Sequence, residues 1–479
     1  MNFIKKVNTK LLAQLLFAFL CILFVLPSVM YLIKNGTIYG FDKWFCFLLN
    51  ESDRRMQACL YLVILTGMTI MYCIIIKNQK EIFKDIKQLL TYIAVISLIF
   101  LASISFTCSD VFYYLGIGRI DGKYNQNPYY TTIKEFVDGQ ESIEELQKDT
   151  VLMEGYNNVW SNTTVVYGPL WTLICKFVAM LSFGNIDVGI FVFRLINIII
   201  HILNCYLIYA ISKKKIFTAM YGLNPYMLLE GIMCIHNDIF VVCFILFAIY
   251  FLIKKKKIIP TVIFLALATA IKYFAILLLP LFIIYYFKNE KPSKRFLSCI
   301  QYGLLFVLIL AIPYMFYIRS IEVFAGIFTM QTRFAKSFYL MIIAYFSTKN
   351  LSGIIQKSLL TIFIYIYAFE CIRLVSKKQI KFFKEAKQIE YFLVAFLFLL
   401  ITNFQPWYIM WLFPLLMWQK AKNIKLIVQI SLISQFANSI FVAYTENWRN
   451  GISFVFVMLL GTITCIYLNN NKRKIKKLV

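Results

Sequence analysis

The sequence predicts an all-α polytopic membrane protein. Of its 479 residues 61% are hydrophobic and only 15% are charged. The mean hydropathy is +0.73. Apolar runs long enough to cross a hydrocarbon core of about 30 Å recur from Leu11 almost to the C-terminus. A water-soluble surface needs far more polar residues than this, so a soluble fold is excluded. The whole chain, 1–479, reads as one transmembrane domain.

The topology follows from the lysines. The net charge of +26 could suggest nucleic acid, but the lysines cluster at the ends of apolar runs and not along one face, so no nucleic-acid partner is expected. Clusters at 77–87, 213–215, 254–257, 288–295, 377–384, 420–425 and 472–477 face the cytoplasm under the positive-inside rule. The first run, 11–33, follows Lys5, Lys6 and Lys10. It is too long for a signal-peptide core and has no small-residue cleavage site after it, so it is expected to be a retained first helix.

Two crossings fit between successive clusters except between Lys87 and Lys213, where three apolar runs occur, at 89–107, 168–182 and 186–211. The middle run is short, opens on Gly168-Pro169 and carries Lys176. A helix at 168–183 is therefore expected to lie at the outer interface or to re-enter. The count becomes about fourteen transmembrane helices with both termini inside.

On this topology the largest outer loop is 108–167, where the charge sign inverts through Asp121, Asp138, Glu141, Glu144, Glu145, Asp149 and Glu154. Chemistry is expected at that extracytoplasmic surface. There is no Gly-rich phosphate loop and no sustained heptad, which disfavours ATP-driven transport. The 12 cysteines lie mostly inside apolar runs and are expected to be small buried hydrophobes, with neither a disulfide framework nor a zinc site.

Four separated segments place polar groups together at the outer boundary. Ser109-Asp110-Val-Phe-Tyr-Tyr114, followed by Gly122 and Asn127-Pro-Tyr129, lies at the exit of the third helix. Asp110 is the candidate base, a carboxylate costly to keep among aromatic neighbours. Asn224-Pro225 in mid-span leads to Glu230, His236, Asn237 and Asp238, of which His236 and Asp238 can meet a ligand. His201, inside an apolar helix, is expected to be packed and hydrogen-bonded. Lys272-Tyr273 violates the positive-inside rule and suits a phosphate, as do Arg333 and Lys336 in the outer loop 319–349. Gln405-Pro-Trp407-Tyr408, with Trp411 beyond, marks a Pro-broken helix start that needs a lined cavity.

These residues, together with Tyr167-Gly-Pro169-Leu-Trp, resemble a known family in order and spacing: the GT-C class of integral-membrane glycosyltransferases, in its bacterial polyprenyl-phosphate-sugar-dependent mannosyltransferase-like branch. The resemblance runs from the third helix to the Gln-Pro-Trp-Tyr segment. It implies a GT-C-like fold and an outward-facing site. It implies a mannose-like hexose carried on a polyprenyl-phosphate donor and moved with inversion to a lipid or cell-envelope glycan acceptor. The family's essential carboxylate in the first large outer loop matches Asp110. Lys272, Arg333 and His236 would then neutralise the departing phosphate, and Asp238, Tyr114, Asn127, Tyr129, Gln405, Trp407 and Tyr408 would complete the substrate site. Many members carry a second acidic residue near the first. Here the nearest is Asp121, in a Gly-containing turn, so no metal ligands are assigned and a divalent cation stays open as a cofactor.

Two rival readings come from other classes. A multi-pass lipid or glycan transporter or flippase would show internal repeats and midplane charges, whereas no repeat is apparent and the polar residues gather at one face. A cell-wall polysaccharide polymerase would share the donor but act on long chains. The Lys, Ile, Asn and Phe bias points to a bacterial plasma membrane. Lys476-Lys477-Leu-Val and the sequons at Asn35 and Asn162 would point to the endoplasmic reticulum, but such short patterns arise by chance in Lys- and Asn-rich loops.

Overall fold

The computed structural model describes residues 9–38, 54–105, 108–142, 144–331, 333, 337, 339–346, 349–378, 396–414, 421–444, 455 and 457–465. Lys336 and the 472–477 lysine cluster lie outside the described residues. The described chain is helical and contains no extended strand. That is what a bilayer demands of the backbone, since only intrahelical bonds satisfy every amide without water.

Five helices are long and apolar enough to cross a membrane: Lys10–Asn35, Cys59–Ile82, Ile186–Ser212, Pro292–Tyr314 and Asn350–Ser376. A bent pair, Met227–Met233 with Asp238–Lys255, passes the same test as a broken sixth, its halves at 106°. Other apolar helices are shorter, among them Ile86–Ala102, Pro169–Leu181, Ile258–Thr269 and Tyr273–Tyr286. The sequence leads to about fourteen crossings, whereas five straight spans, or six with the bent pair, meet the length test among the described residues.

Among the described residues, contacts tie several lysine clusters to neighbouring helix ends. Lys215 donates to the carbonyls of Phe83 and Lys84, Tyr286 donates to the Lys256 carbonyl, Arg295 donates to the carbonyls of Leu374 and Lys377, and Lys10 pairs with Glu81. At the start of the Ile186–Ser212 helix, remote from the lysines that follow its end, Thr37 and the Ile38 amide hold Asp187, and the Ile186 amide donates to Thr150 in the acidic loop.

The chain breaks twice here, at Leu223-Asn224 before the bent pair and at Cys234–Asn237 between its halves, where Ile235 has a positive φ. Asn224-Pro225 cannot continue the Lys215–Gly222 helix because proline removes an amide donor and clashes with the preceding turn. The freed carbonyls are taken up by one face of the Ile186–Ser212 helix, where Arg194, Asn197, His201 and Asn204 recur at three- and four-residue spacing. Arg194 donates to Met233 O at 3.0 Å, Asn197 to Gly231 O at 2.7 Å and Asn204 to Ile239 O at 3.0 Å. His201 lies 3.0 Å from Gly222 O and stacks on Tyr221. It is a packed, hydrogen-bonded histidine. The bent pair, with Glu230 in its first half and the non-helical Cys234–Asn237 between the halves, is thereby kept inside the protein.

The Pro169–Leu181 helix is 13 residues long, about 20 Å against a core of about 30 Å. It packs on the Asp110–Gly122 helix so closely that a Cβ on Gly118 would stand 2.2 Å from the Cys175 carbonyl oxygen. Gly118→Ala should therefore force the two helices apart at a cost of about 1–3 kcal/mol, read as a lower unfolding temperature of the detergent-solubilised chain. An unchanged unfolding temperature would show that the backbones are not in contact there.

Candidate active site

Asp110 opens the Asp110–Gly122 helix, where free amides and the helix dipole favour an anion. Its side chain is held by neutral donors. Trp160 Nε1 donates to Oδ1 at 3.2 Å and the Tyr114 hydroxyl, one turn on, approaches Oδ2 at 3.5 Å. Tyr114 in turn lies 3.4 Å, oxygen to oxygen, from Tyr167. The nearest titratable nitrogen is His236 Nδ1, 3.9 Å from Oδ2. A carboxylate placed this way keeps lone pairs free to accept a proton.

Asp110 lines a cavity of about 260 Å³. Part of its lining is polar or aromatic, with Tyr113, Trp160, Thr163, Tyr167, Thr402, Asn403, Gln405, Trp407 and Tyr408. Beside Gln356, the other lining residues are apolar, among them Ile327, Met330, Leu360, Phe396 and Leu400. Arg333 packs against two residues of this lining. Its guanidinium lies 4.9 Å over the Trp160 ring and donates to Thr163 at 3.1 Å. Gln405 and Asn403 are bonded to each other at 2.7 Å.

A second layer lies behind the aromatic wall. Lys272 Nζ bonds both oxygens of Asp238, at 2.8 and 2.9 Å, and Trp411 Nε1 donates to the same carboxylate. The ammonium also lies 4.6 Å over the Tyr408 ring and 5.9 Å over Tyr167. Its charge therefore acts on the cavity through two rings that line it, while Asp238 answers it directly. His236 stacks on Trp407 at 3.7 Å between centroids and lies 3.2 Å from a carboxylate oxygen of Glu230. The break at Pro406 that presents Trp407 and Tyr408 is fastened through its own carbonyl, which accepts from Tyr226 at 2.9 Å.

Asn127 and Tyr129 hold the frame. Asn127 donates to Tyr317 O at 2.8 Å, and the Tyr129 hydroxyl donates to Tyr167 O at 2.9 Å. Tyr317 donates to Asp121 at 2.7 Å, and Lys176 pairs with the other oxygen of Asp121 at 2.9 Å. Burial, with Asp121 beside it, pushes the Tyr317 phenol above its ordinary value, so it remains a neutral donor. Asp121 is thus occupied well away from Asp110's partners. The Tyr167-Gly-Pro turn is docked on the Lys272 segment by Gly168 N to Ile271 O at 3.0 Å.

Of the residues singled out from sequence, Asp110, Gln405, Trp407 and Tyr408 meet in one cavity and Tyr114 and Arg333 touch its lining. His236, Asp238 and Lys272 stand one layer behind, and Asn127 and Tyr129 hold loops. Sequence reasoning missed Trp160, Thr163 and Gln356. A lone tryptophan in the polar loop and the one glutamine of the apolar Lys349–Ser376 helix are the signals that could have found two of them.

No curated protein matches the chain at a significant level. The family model for alpha-(1->6)-mannopyranosyltransferase, N-terminal domain, matches residues 17–288. That stretch is more than half of the chain and includes Asp110, the helix break with His236 and Asp238, and Lys272. The chain, an integral membrane protein built around this cavity, belongs to the alpha-(1->6)-mannopyranosyltransferase family of glycosyltransferases.

Proposed function

We propose that the protein moves a mannose-like hexose from a polyprenyl-phosphate donor to a lipid or cell-envelope glycan acceptor, with Asp110 as the base. The observation that carries this reading is the mixed lining of the cavity, which joins a carboxylate and sugar-sized polar groups with apolar side chains. A sugar fits the polar groups, and a prenyl chain gains from the apolar side chains about 0.8 kcal/mol per buried methylene. Asp110 accepts the proton of the acceptor hydroxyl as that oxygen attacks the anomeric carbon. The bond to the lipid phosphate breaks, and one displacement inverts the centre. Charge develops on the departing phosphate, which suits Arg333 as direct partner and Lys272 as a second cation behind the aromatic wall.

The site belongs at the extracytoplasmic face of a plasma membrane crossed about fourteen times, with 168–183 at the interface. The Ile186–Ser212 helix supports this, because it meets Thr150 of the acidic loop at its start and leads into the 213–215 lysines at its end. Nucleotide sugars are confined to the cytoplasm, so a transferase on that face needs a lipid-borne donor.

Membranes containing the chain should incorporate labelled mannose from polyprenyl-phosphate mannose and not from nucleotide-linked mannose. Incorporation from the nucleotide donor alone, or from neither, would overturn the reading. Arg333→Ala should raise KM for the lipid donor about tenfold, as loss of a charge-assisted bond predicts. An unchanged KM across a full donor titration would remove Arg333 from the site.

A further inference from the structure

Behind Asp110, the bent pair gathers Glu230 from its first half with Cys234 and His236 from the break between its halves, all fully buried. One ligand atom from each lies within 4.8 Å of the others. Among the described residues, neither ring nitrogen of His236 and not Oε2 of Glu230 has a hydrogen-bond partner, and the same is true of both polar side-chain atoms of the adjacent Asn237. Leaving such groups empty-handed in a membrane protein's interior costs several kcal/mol. The 3.2 Å between His236 Nε2 and Glu230 Oε2 is short enough for a hydrogen bond, yet the two do not point at each other. Two ligands of a tetrahedral ion at metal distances of about 2.1 Å stand about 3.4 Å apart without facing one another.

We infer that Glu230, Cys234 and His236 form a binding site for a thiolate-tolerant divalent transition ion, of which zinc is the representative. The surroundings match such a site. Glu230 Oε1 is held by Asn438 Nδ2 at 3.4 Å, which leaves Oε2 for the ion. On the far side of the ring, His236 Nδ1 faces Asp110 Oδ2 at 3.9 Å. A ligating imidazole characteristically turns its other nitrogen to a carboxylate.

The alternative trio of Cys108, Asp110 and His236 fits less well. Asp110 there already accepts from Trp160 and Tyr114, and Cys108 Sγ accepts from the Asp110 amide. Binding deprotonates the Cys234 thiol and releases that proton, while histidine and glutamate bind as neutral imidazole and carboxylate. Three protein ligands leave a fourth position, as in open zinc sites. His236 would then link the ion to the proposed base, since its Nδ1 lies 3.9 Å from Asp110 Oδ2.

The test uses the full-length chain in detergent, incubated with zinc, desalted and measured by elemental mass spectrometry. It needs no transfer assay, so it stands or falls apart from the proposed reaction. The wild type should retain about one zinc per chain. His236→Ala and Cys234→Ser should each lower retention about tenfold or more while eluting as monodisperse protein. With cobalt in place of zinc, the wild type should show a sulfur-to-metal charge-transfer band in the near ultraviolet. That measurement holds even where a variant does not fold. Zinc below about a tenth of an equivalent in the wild type, undiminished retention in both variants, or cobalt bound without that band would each overturn the site.

Discussion

Asp110→Asn should leave the chain inserted in the membrane and lower transfer about 10²–10⁴-fold, the contribution of a positioned base. The substitution is nearly isosteric. An amide oxygen can still accept from Trp160 Nε1, now 3.2 Å from Oδ1, so the helix start and the aromatic wall have no reason to move. What is lost is the capacity to take a proton. The loss should fall on kcat, with KM for the lipid donor close to that of the wild type, because the base acts in the transition state and not in donor binding. Asp110→Glu keeps the acid but displaces it by one methylene, and should recover only part of the rate. The measurement is labelled mannose transfer in membranes with matched expression of each chain. Near-normal turnover by the asparagine variant would remove Asp110 from the chemistry and return the cavity to the transporter reading.

Asp238→Leu should destabilise the fold by about 3–5 kcal/mol, the cost of leaving a buried charge without its partner. The pair is not at the surface. The side chain of Asp238 has no exposure and that of Lys272 has 11%, so solvent screens little of the effect. Removing the carboxylate would also orphan the Trp411 indole, which donates to it. Lys272→Met should cost a similar amount for the mirror reason. Together, Lys272→Met with Asp238→Leu should recover most of the loss, because no charge is then stranded. Unfolding temperature in detergent for the two single variants and the double variant reads this cycle. Single variants within about 0.5 kcal/mol of wild type would show that the pair is hydrated and not structural. Transfer by the double variant separates the roles of Lys272. Activity with a raised donor KM assigns it the departing phosphate, and wild-type kinetics assign it to the frame alone.

The helical class and the membrane were legible in the residues themselves because both depend on run length and composition, which are local. The same is true of the helix break at Asn224-Pro225, where proline acts within one turn, and of Asp110, a carboxylate standing among aromatic residues at a helix start. The motif set also led to the right family, since motif order survives in sequence. Crossing number was less legible. An apolar stretch such as 258–286 reads as two crossings when counted by length, yet folds into the short pieces Ile258–Thr269, Tyr273–Leu278 and Leu279–Tyr286. Hydropathy does not register a break that other helices satisfy.

The sequence by itself determined that these polar segments exist and that a carboxylate, cations and aromatic residues alternate along them. Only the tertiary structure decided who meets whom. Lys272 and Arg333 look alike as cations on the unexpected side, but Asp238 takes up the first, while the second rests on Trp160 and Thr163 in the cavity wall. Likewise Glu230, Cys234 and His236 read as a polar turn until the break turns their ligand atoms toward one point. Pairing across tens or hundreds of residues is set by how helices pack and by which buried charge must be answered. Neither is written in local pattern.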